Sequence, residues 1–399
     1  MLQRLDGSRN GLAPWVPATL TLVSFHALQA RAGDVFDYRY EDYQEDANRI
    51  NVQTQAGAFD LAPLKWLTLR GEIVYDAVSG NTPTGSPPPN QITNWVLDAN
   101  GNPPPGANLS TVPLTHMSDI RWAGSLAATM SYGQQRLTPM FSWGQEHDYT
   151  ARGVGLTYAI DLNEKNTTLN AGWSGDWDLV LPNGFLHTTQ PKNSDDVLVG
   201  VNQLLGPKTV LTLNLGYSNA RGYLNDQYRG VLFESTPQGD PLDPALEPEN
   251  RPSTRNKYTA YVYLAQDVTP LRASGEFSYR FFYDSYSIQA HTFQLGWNQK
   301  LGRLLTLSPF ARYYYQTAAS FYVTQLPDYD TRPTYYSADY RLSKLETLTV
   351  GVDVVFKLKE FLHVYAGYKR YVMQGLDGVT SSSAYPQANV FSIGGRLWF

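Results

Sequence analysis

Two carboxylates flank an imidazole in Glu146-His147-Asp148. Residues of these types, at the outer end of an extended segment and beside a tight connection, can bind a divalent cation or relay protons. Asp284 and Asp339 are expected at the same extracellular rim. Acidic groups and a histidine there could activate water, as a surface protease would. The plainer reading is a hydrated rim whose charges bond loop amides. The histidines beyond residue 32 are His116, His147, His187, His291 and His363, with no H-x-x-x-H or H-E-x-x-H spacing, so zinc lacks its usual signature. Cysteine is absent, which excludes disulfides, thiolate metal sites and C-x-x-C-H haem attachment. No metal or cofactor is expected.

His291 falls in register with Phe293, Leu295 and Trp297, a lipid-facing set. Such a histidine could activate a serine on the next strand, giving a lipid hydrolase. Ser274 and Ser278 fall on the opposite face by parity, however, and a nucleophile and its base must share a face. No catalytic residue is assigned, and no enzyme is expected. A third set comprises Arg70, Glu72, Arg272, Glu276, Arg280, Arg312, Asp353 and Arg396, each on the polar side of an alternating segment. Arg272, Glu276 and Arg280 are four apart, so all three are expected to point inward from one strand. Charge at membrane depth is costly on the lipid side, so these residues belong inside a pore. They read either as a wall that screens ions and small solutes or as a salt-bridged interior that stiffens the wall. Tyr313, Tyr314, Tyr315, Tyr322, Tyr335, Tyr336 and Tyr340 crowd one region. Interface-belt tyrosines or an aromatic track for sugars would each explain them.

The elements that must position these residues are strands with two unlike sides. Leu211, Leu213, Leu215 and Tyr217 oppose Thr212, Asn214 and Ser218; Phe277, Tyr279, Phe281 and Tyr283 oppose Glu276, Ser278 and Arg280. This period of two recurs in sixteen segments: 34–43, 48–58, 65–76, 119–132, 136–146, 150–160, 166–176, 195–205, 208–219, 256–266, 270–284, 287–299, 303–316, 344–357, 361–372 and 388–399. Every second junction is short, and the others include long polar loops at 77–118, 177–194, 220–255, 317–343 and 373–387. Sorting of connections by parity is the asymmetry of a transmembrane up-and-down antiparallel β-barrel, with short periplasmic turns and long extracellular loops. Segment 388–399 must then meet 34–43, with Phe36, Tyr38 and Tyr40 continuing the outer face of Phe391 and Ile393. Phe391, Ile393, Leu397 and the terminal Phe399 share that face, and such an ending resembles the signal read by barrel-insertion machinery. Loop 77–118 holds two Pro triplets, which forbid a regular strand; it lies over the surface or folds into the lumen as a constriction.

Composition agrees. The 399 residues contain 28 Tyr and 9 Trp, yet only 17% are charged, which suits a wall wet on one side. Arg4 and Arg9 precede a mostly apolar stretch, Gly11 to Leu28, and Ala30-Arg31-Ala32 reads as a cleavage site. Residues 1–32 are expected to be a signal peptide and 33–399 the barrel. Removing 1–32 moves the formal charge from -5 to -7, which disfavours nucleic acid as a partner.

Taken in order, Tyr38-x-Tyr40-x-Asp42, Tyr75-Asp76-Ala77-Val78-Ser79-Gly80, Gly222-Tyr223-Leu224-Asn225-Asp226-Gln227-Tyr228, Arg251-Pro252-x-x-Arg255, Tyr279-Arg280-Phe281-Phe282-Tyr283-Asp284 and Ser337-Ala338-Asp339-Tyr340-Arg341-Leu342 carry a resemblance over essentially the whole mature chain. The chain resembles an uncharacterised, domain-of-unknown-function family of roughly 400-residue Gram-negative outer-membrane β-barrel proteins. The family usually has Pro at the position that Gln227 fills here. The resemblance implies fold and location, and a setting near envelope electron-transfer proteins. The expected function is porin-like passage of small hydrophilic solutes. The alternatives are a scaffold for a periplasmic or surface partner and, last, a rim or lipid-facing hydrolase. Outer-membrane lipid and the insertion machinery are expected partners, and a homo-oligomer is compatible with this size.

Overall fold

The computed structural model describes residues 34–87, 96, 104–106, 112, 114–182, 188–234 and 245–399. The expected signal peptide, His187 and most of 88–113 lie outside the described residues. The strands are β1 (Val35–Glu45), β2 (Ile50–Leu64), β3 (Leu67–Pro83), β4 (Leu114–Tyr132), β5 (Gln135–Gln145), β6 (Tyr149–Leu162), β7 (Thr167–Val180), β8 (Gln190–Gly206), β9 (Thr209–Gly222), β10 (Gly230–Phe233), β11 (Ala245–Pro248), β12 (Thr254–Val268), β13 (Ala273–Asp284), β14 (Gln289–Leu301), β15 (Leu305–Gln316), β16 (Gln325–Leu326), β17 (Leu345–Lys359), β18 (Leu362–Gly375) and β19 (Gln387–Trp398). Sixteen of them close into one antiparallel barrel; β10, β11 and β16 form a separate three-stranded sheet.

Each of the sixteen alternating segments is a barrel strand, and several run further at the extracellular end: β3 continues to Pro83 and β4 starts at Leu114. Closure is as the alternation requires. β1 pairs with β19, Phe36 opposite Leu397, Tyr38 opposite Gly395 and Tyr40 opposite Ile393. Closure leaves no sheet edge, whose free amides and carbonyls would cost several kcal/mol each in hydrocarbon.

The wall is inverted relative to a soluble protein. On β9, Leu213, Leu215 and Tyr217 are 40%, 61% and 40% exposed, whereas the intervening Thr212 and Asn214 are 2% and 8% exposed. Apolar side chains outside and polar ones inside are stable only where the outer solvent is lipid.

The buried apolar clusters lie at the extracellular end. Val231, Phe233, Leu326, Tyr336 and Ala338 form one. Tyr286, Ile288, Ala319, Phe321 and Leu342 form a second. The third packs Tyr340, Ala384 and Tyr385 of the loops against Leu345 and Met373 of the wall. Leu345 opposes Gly375 and Gln316, and Met373 opposes Thr347, all positions on the inward face. The loops therefore turn into the barrel mouth. The first long loop does so from its start: Thr82, Thr84 and Ser86 are buried, Ser86 donates to the Ala338 carbonyl at 2.6 Å, and Gly230 N–H donates to the Thr84 carbonyl at 2.8 Å. Residues 82–86 of this loop thus pack against the other loops at the mouth, whereas its residues 104–106 are exposed.

Candidate functional site

The ladder register carries the charged wall positions from strand to strand. Arg280 opposes Thr292 and Tyr261, Arg312 opposes Gln294 and Thr349, and Asp353 opposes Ser308 and Gly367, all inward. Arg70, Glu72 and Arg396 are inward too, opposite Asp60, Ala58 and Asp37. Seven of the eight expected wall residues thus face the lumen. Arg272 does not: it sits in the turn before β13, exposed, with φ 52°. Its N–H closes the turn on the Thr269 carbonyl at 3.0 Å. Pro270 holds this tight turn, and the left-handed residue that ends it breaks the alternation.

Two of these charges are ion-paired and two more bond side-chain amides. Arg70 meets Asp60 at 2.6 Å and Arg396 meets Asp37 at 2.8 Å. Asn298 donates to Glu276 at 2.8 Å. The Asp353 carboxylate lies across Gly367, where a Cβ would come within 2.1 Å of Oδ1. Arg312 donates to Gln294 at 3.0 and 2.7 Å. Arg280 is exposed, although it points inward, and among the described residues it has no ion-pair partner. The alternation passed over other inward pairs, Lys369 with Glu41 at 3.7 Å, Arg136 with Asp161 at 2.5 Å and Lys192 with Asp178 at 3.4 Å.

Above the wall, the cap is held by buried ions. Arg251 Nε lies 2.6 Å from Glu249 and its Nη2 donates to Asp339 at 2.8 Å. Arg341 donates to both Asp339 oxygens, Nε at 2.8 and 3.0 Å, and also reaches Asp226. Asp226 N–H donates back to Glu249 at 2.5 Å, and Ser337 donates to the other Glu249 oxygen. Burial would raise Asp339, but Arg341 and Arg251 hold it well below the usual carboxylate range. Glu249, by contrast, is pushed up to about 7 by burial, against the pull of Arg251. Beside this network Arg255 pairs with Asp284 at 2.5 Å and stacks on Tyr286. Asp284 and Asp339 are therefore buried structural anions, 0% and 2% exposed, not members of a hydrated rim.

The third cluster revises the Glu146-His147-Asp148 expectation. His147 is exposed, and the group that gathers is Asp119, Glu146 and Asp148, with one oxygen from each within 4.8 Å of the others. Continuing the β4–β5 register, which sets Trp122 opposite Gln145, brings Asp119 to the Glu146–Asp148 turn; this hairpin arithmetic could have found it. Burial, with Asp148, Asp119 and Asp76 adding to it, pushes Glu146 up to about 7 although Arg121 opposes the rise. Burial raises Asp148 too.

His291 is outward, opposite Phe281 and Tyr315, with Tyr279 O–H 2.8 Å from its Nδ1. Ser278 and Ser274 face the lumen, opposite Tyr263 and Asn298, so the two faces are separated as parity requires. Of the clustered tyrosines, Tyr336 and Tyr340 are cap core and Tyr314 and Tyr322 pack beside it. Tyr313 and Tyr315 face outward, opposite Phe293 and His291, where interface-belt residues would lie.

Solved structures with similar folds are outer-membrane proteins. The siderophore receptor PirA from Pseudomonas aeruginosa matches at 9% identity and TM-score 0.43, over 92% of this chain and 62% of that one. CdiB from Acinetobacter baumannii matches at 10% identity and TM-score 0.51, over 92% and 61%. A bacterial polysaccharide outer membrane secretin matches at 7% identity and TM-score 0.49, over 93% and 99%. The chain spans about three fifths of the length of the first two. At such identity the likeness shows the fold alone, that of an outer-membrane β-barrel. A search of curated proteins returns no match. A family model matches residues 15–391, nearly the whole chain, and the chain belongs to that family, DUF3570, proteins of unknown function.

Proposed function

We propose that this chain is an outer-membrane passage for small hydrophilic solutes that its own extracellular loops keep shut. The observation that carries the reading is Arg280, a cation on the inward face that is exposed. A side chain exposed on that face has water beside it, so the lumen below the cap is hydrated, as expected for a barrel of sixteen strands. Arg312 adds a second cation without a carboxylate partner among the described residues. Two neighbouring cations without carboxylate partners would favour anions at that level of the lumen. The cap supplies the gate: its ion network joins Asp226 and Arg251, which flank β10 and β11, to Asp339 and Arg341 at the mouth.

The test is conductance of the purified protein in planar bilayers, intact and with the cap network broken. Rare, brief openings of the intact chain and discrete steps in the broken one support the passage. A second reading, a non-enzymatic scaffold for an envelope partner, is favoured by the extent of the buried cap. It predicts silence in both.

A further inference from the structure

We propose that Asp119, Glu146 and Asp148 form a divalent-cation site, of calcium type, which fastens the β5–β6 turn and the end of β4 to the cap. The donor set is all oxygen. No imidazole joins it, since His147 is exposed; three carboxylates suit a hard cation such as calcium rather than zinc.

A cluster of acids alone would prove little. Here a separate observation points to a ligand. Asp148 is 3% exposed, and its Oδ1 has no hydrogen-bond partner among the described residues; the same holds for Asp119 Oδ2. The other oxygens of these two residues are engaged. Tyr228 O–H donates to Asp148 Oδ2, and the backbone N–H of Ile120 donates to Asp119 Oδ1 at 2.7 Å. Each residue therefore spends one oxygen on the protein and leaves one buried and bare. A buried carboxylate oxygen without a donor or a cation is costly.

The local protein charge does not balance the group. Among the described residues the one Lys or Arg in ion-pair range is Arg121, 3.9 Å from Glu146, and it lies closer, at 3.2 Å, to Asp76; the exposed His147 adds only its neighbouring imidazole. Arg229 on the adjacent cap segment turns elsewhere, donating to Thr82 at 3.0 Å and lying over Tyr340. A bound dication would offset the excess charge and satisfy both bare oxygens.

The position gives the ion a structural consequence. Asp119 belongs to β4, Glu146 and Asp148 to the β5–β6 turn, and Asp148 holds Tyr228 of the cap. A cation would tie two hairpins of the wall and, through Tyr228, the loop that carries Asp226 and Arg229. The site does not depend on whether the barrel conducts.

The experiment uses the full mature chain, purified in detergent, stripped with chelator and freed of lipopolysaccharide, which itself binds calcium. Isothermal titration with calcium chloride alone should show one saturable site, with Kd on the order of 10⁻⁴ M, typical of extracellular modules. Asp119→Asn and Asp148→Asn should each weaken it at least ~10-fold, whereas Asp195→Asn, on the outer face, should not. Calcium should also slow proteolysis near Tyr228 in the wild-type chain, a readout that needs no variant. Absence of saturable binding at millimolar calcium overturns the proposal. So does binding that persists unchanged in both Asn variants, which would place the ion elsewhere.

Discussion

Arg251 donates to Asp339 at 2.8 Å across 88 positions of sequence, and Asp339 is 2% exposed. One buried carboxylate thus joins the loop after β11 to the loop after β16. Removing one partner of a buried pair leaves the other charge stranded, at a cost of about 3–5 kcal/mol. Asp339→Ala should therefore free the cap while the barrel, held by its own ladder, stays folded. Limited proteolysis should cut 223–253 and 317–344 much faster than in wild type, with thermal unfolding of the strands unchanged. Equal protection in both proteins would refute the gate.

The cap should respond to pH in two opposed ways. Asp339 is held below its ordinary value of 3.8, so its contribution is present above that value and lost as pH falls through the lower folded one. Glu249 is raised from 4.5 to about 7. Its contribution is therefore complete below 4.5 and declines as pH rises through about 7. Together they make the cap firmest at about pH 4 and looser above neutrality and in strong acid. The chain has no native cysteine, so a single fluorophore on Asp330→Cys reports the cap alone. Glu249→Gln should abolish the alkaline limb only. A monotonic signal from pH 3 to 9 would contradict this account.

Arg280 should set the sign of the lumen. In a cap-opened background, Arg280→Glu should shift the reversal potential in a salt gradient toward that of a cation-preferring pore. Charge at a constriction acts in this way. An unchanged potential would move the selective region away from Arg280.

The terminal strand should matter for assembly more than for the finished barrel. Phe399 is 68% exposed, and only its backbone is engaged, N–H to the Asp34 carbonyl at 2.9 Å. Phe399→Ala should lower the amount in outer membranes several-fold while the inserted fraction keeps its heat-modifiable mobility on gels. Normal levels would show that the aromatic end is not read.

The sixteen strands were legible because lipid outside and water inside impose a period of two that each segment carries by itself. The cap was not. Its strands are four residues (β10 and β11) and two residues (β16) long, too short for any period. Its ion pairs join partners such as Arg341 and Asp226, 115 positions apart. Asp339 and Asp284 were picked out as charges near a rim, but no local pattern told that they would be buried against Arg341, Arg251 and Arg255. The wall residues were readable by parity alone, and parity failed only at Arg272, where a left-handed residue ends a Pro-containing turn.

Single-channel recording on wild type and Asp339→Ala, side by side, tests the shut passage most directly. The account predicts a nearly flat wild-type trace and discrete, anion-preferring steps in the variant. A wild-type protein that conducts steadily, or a variant with a released cap that never conducts, would contradict it.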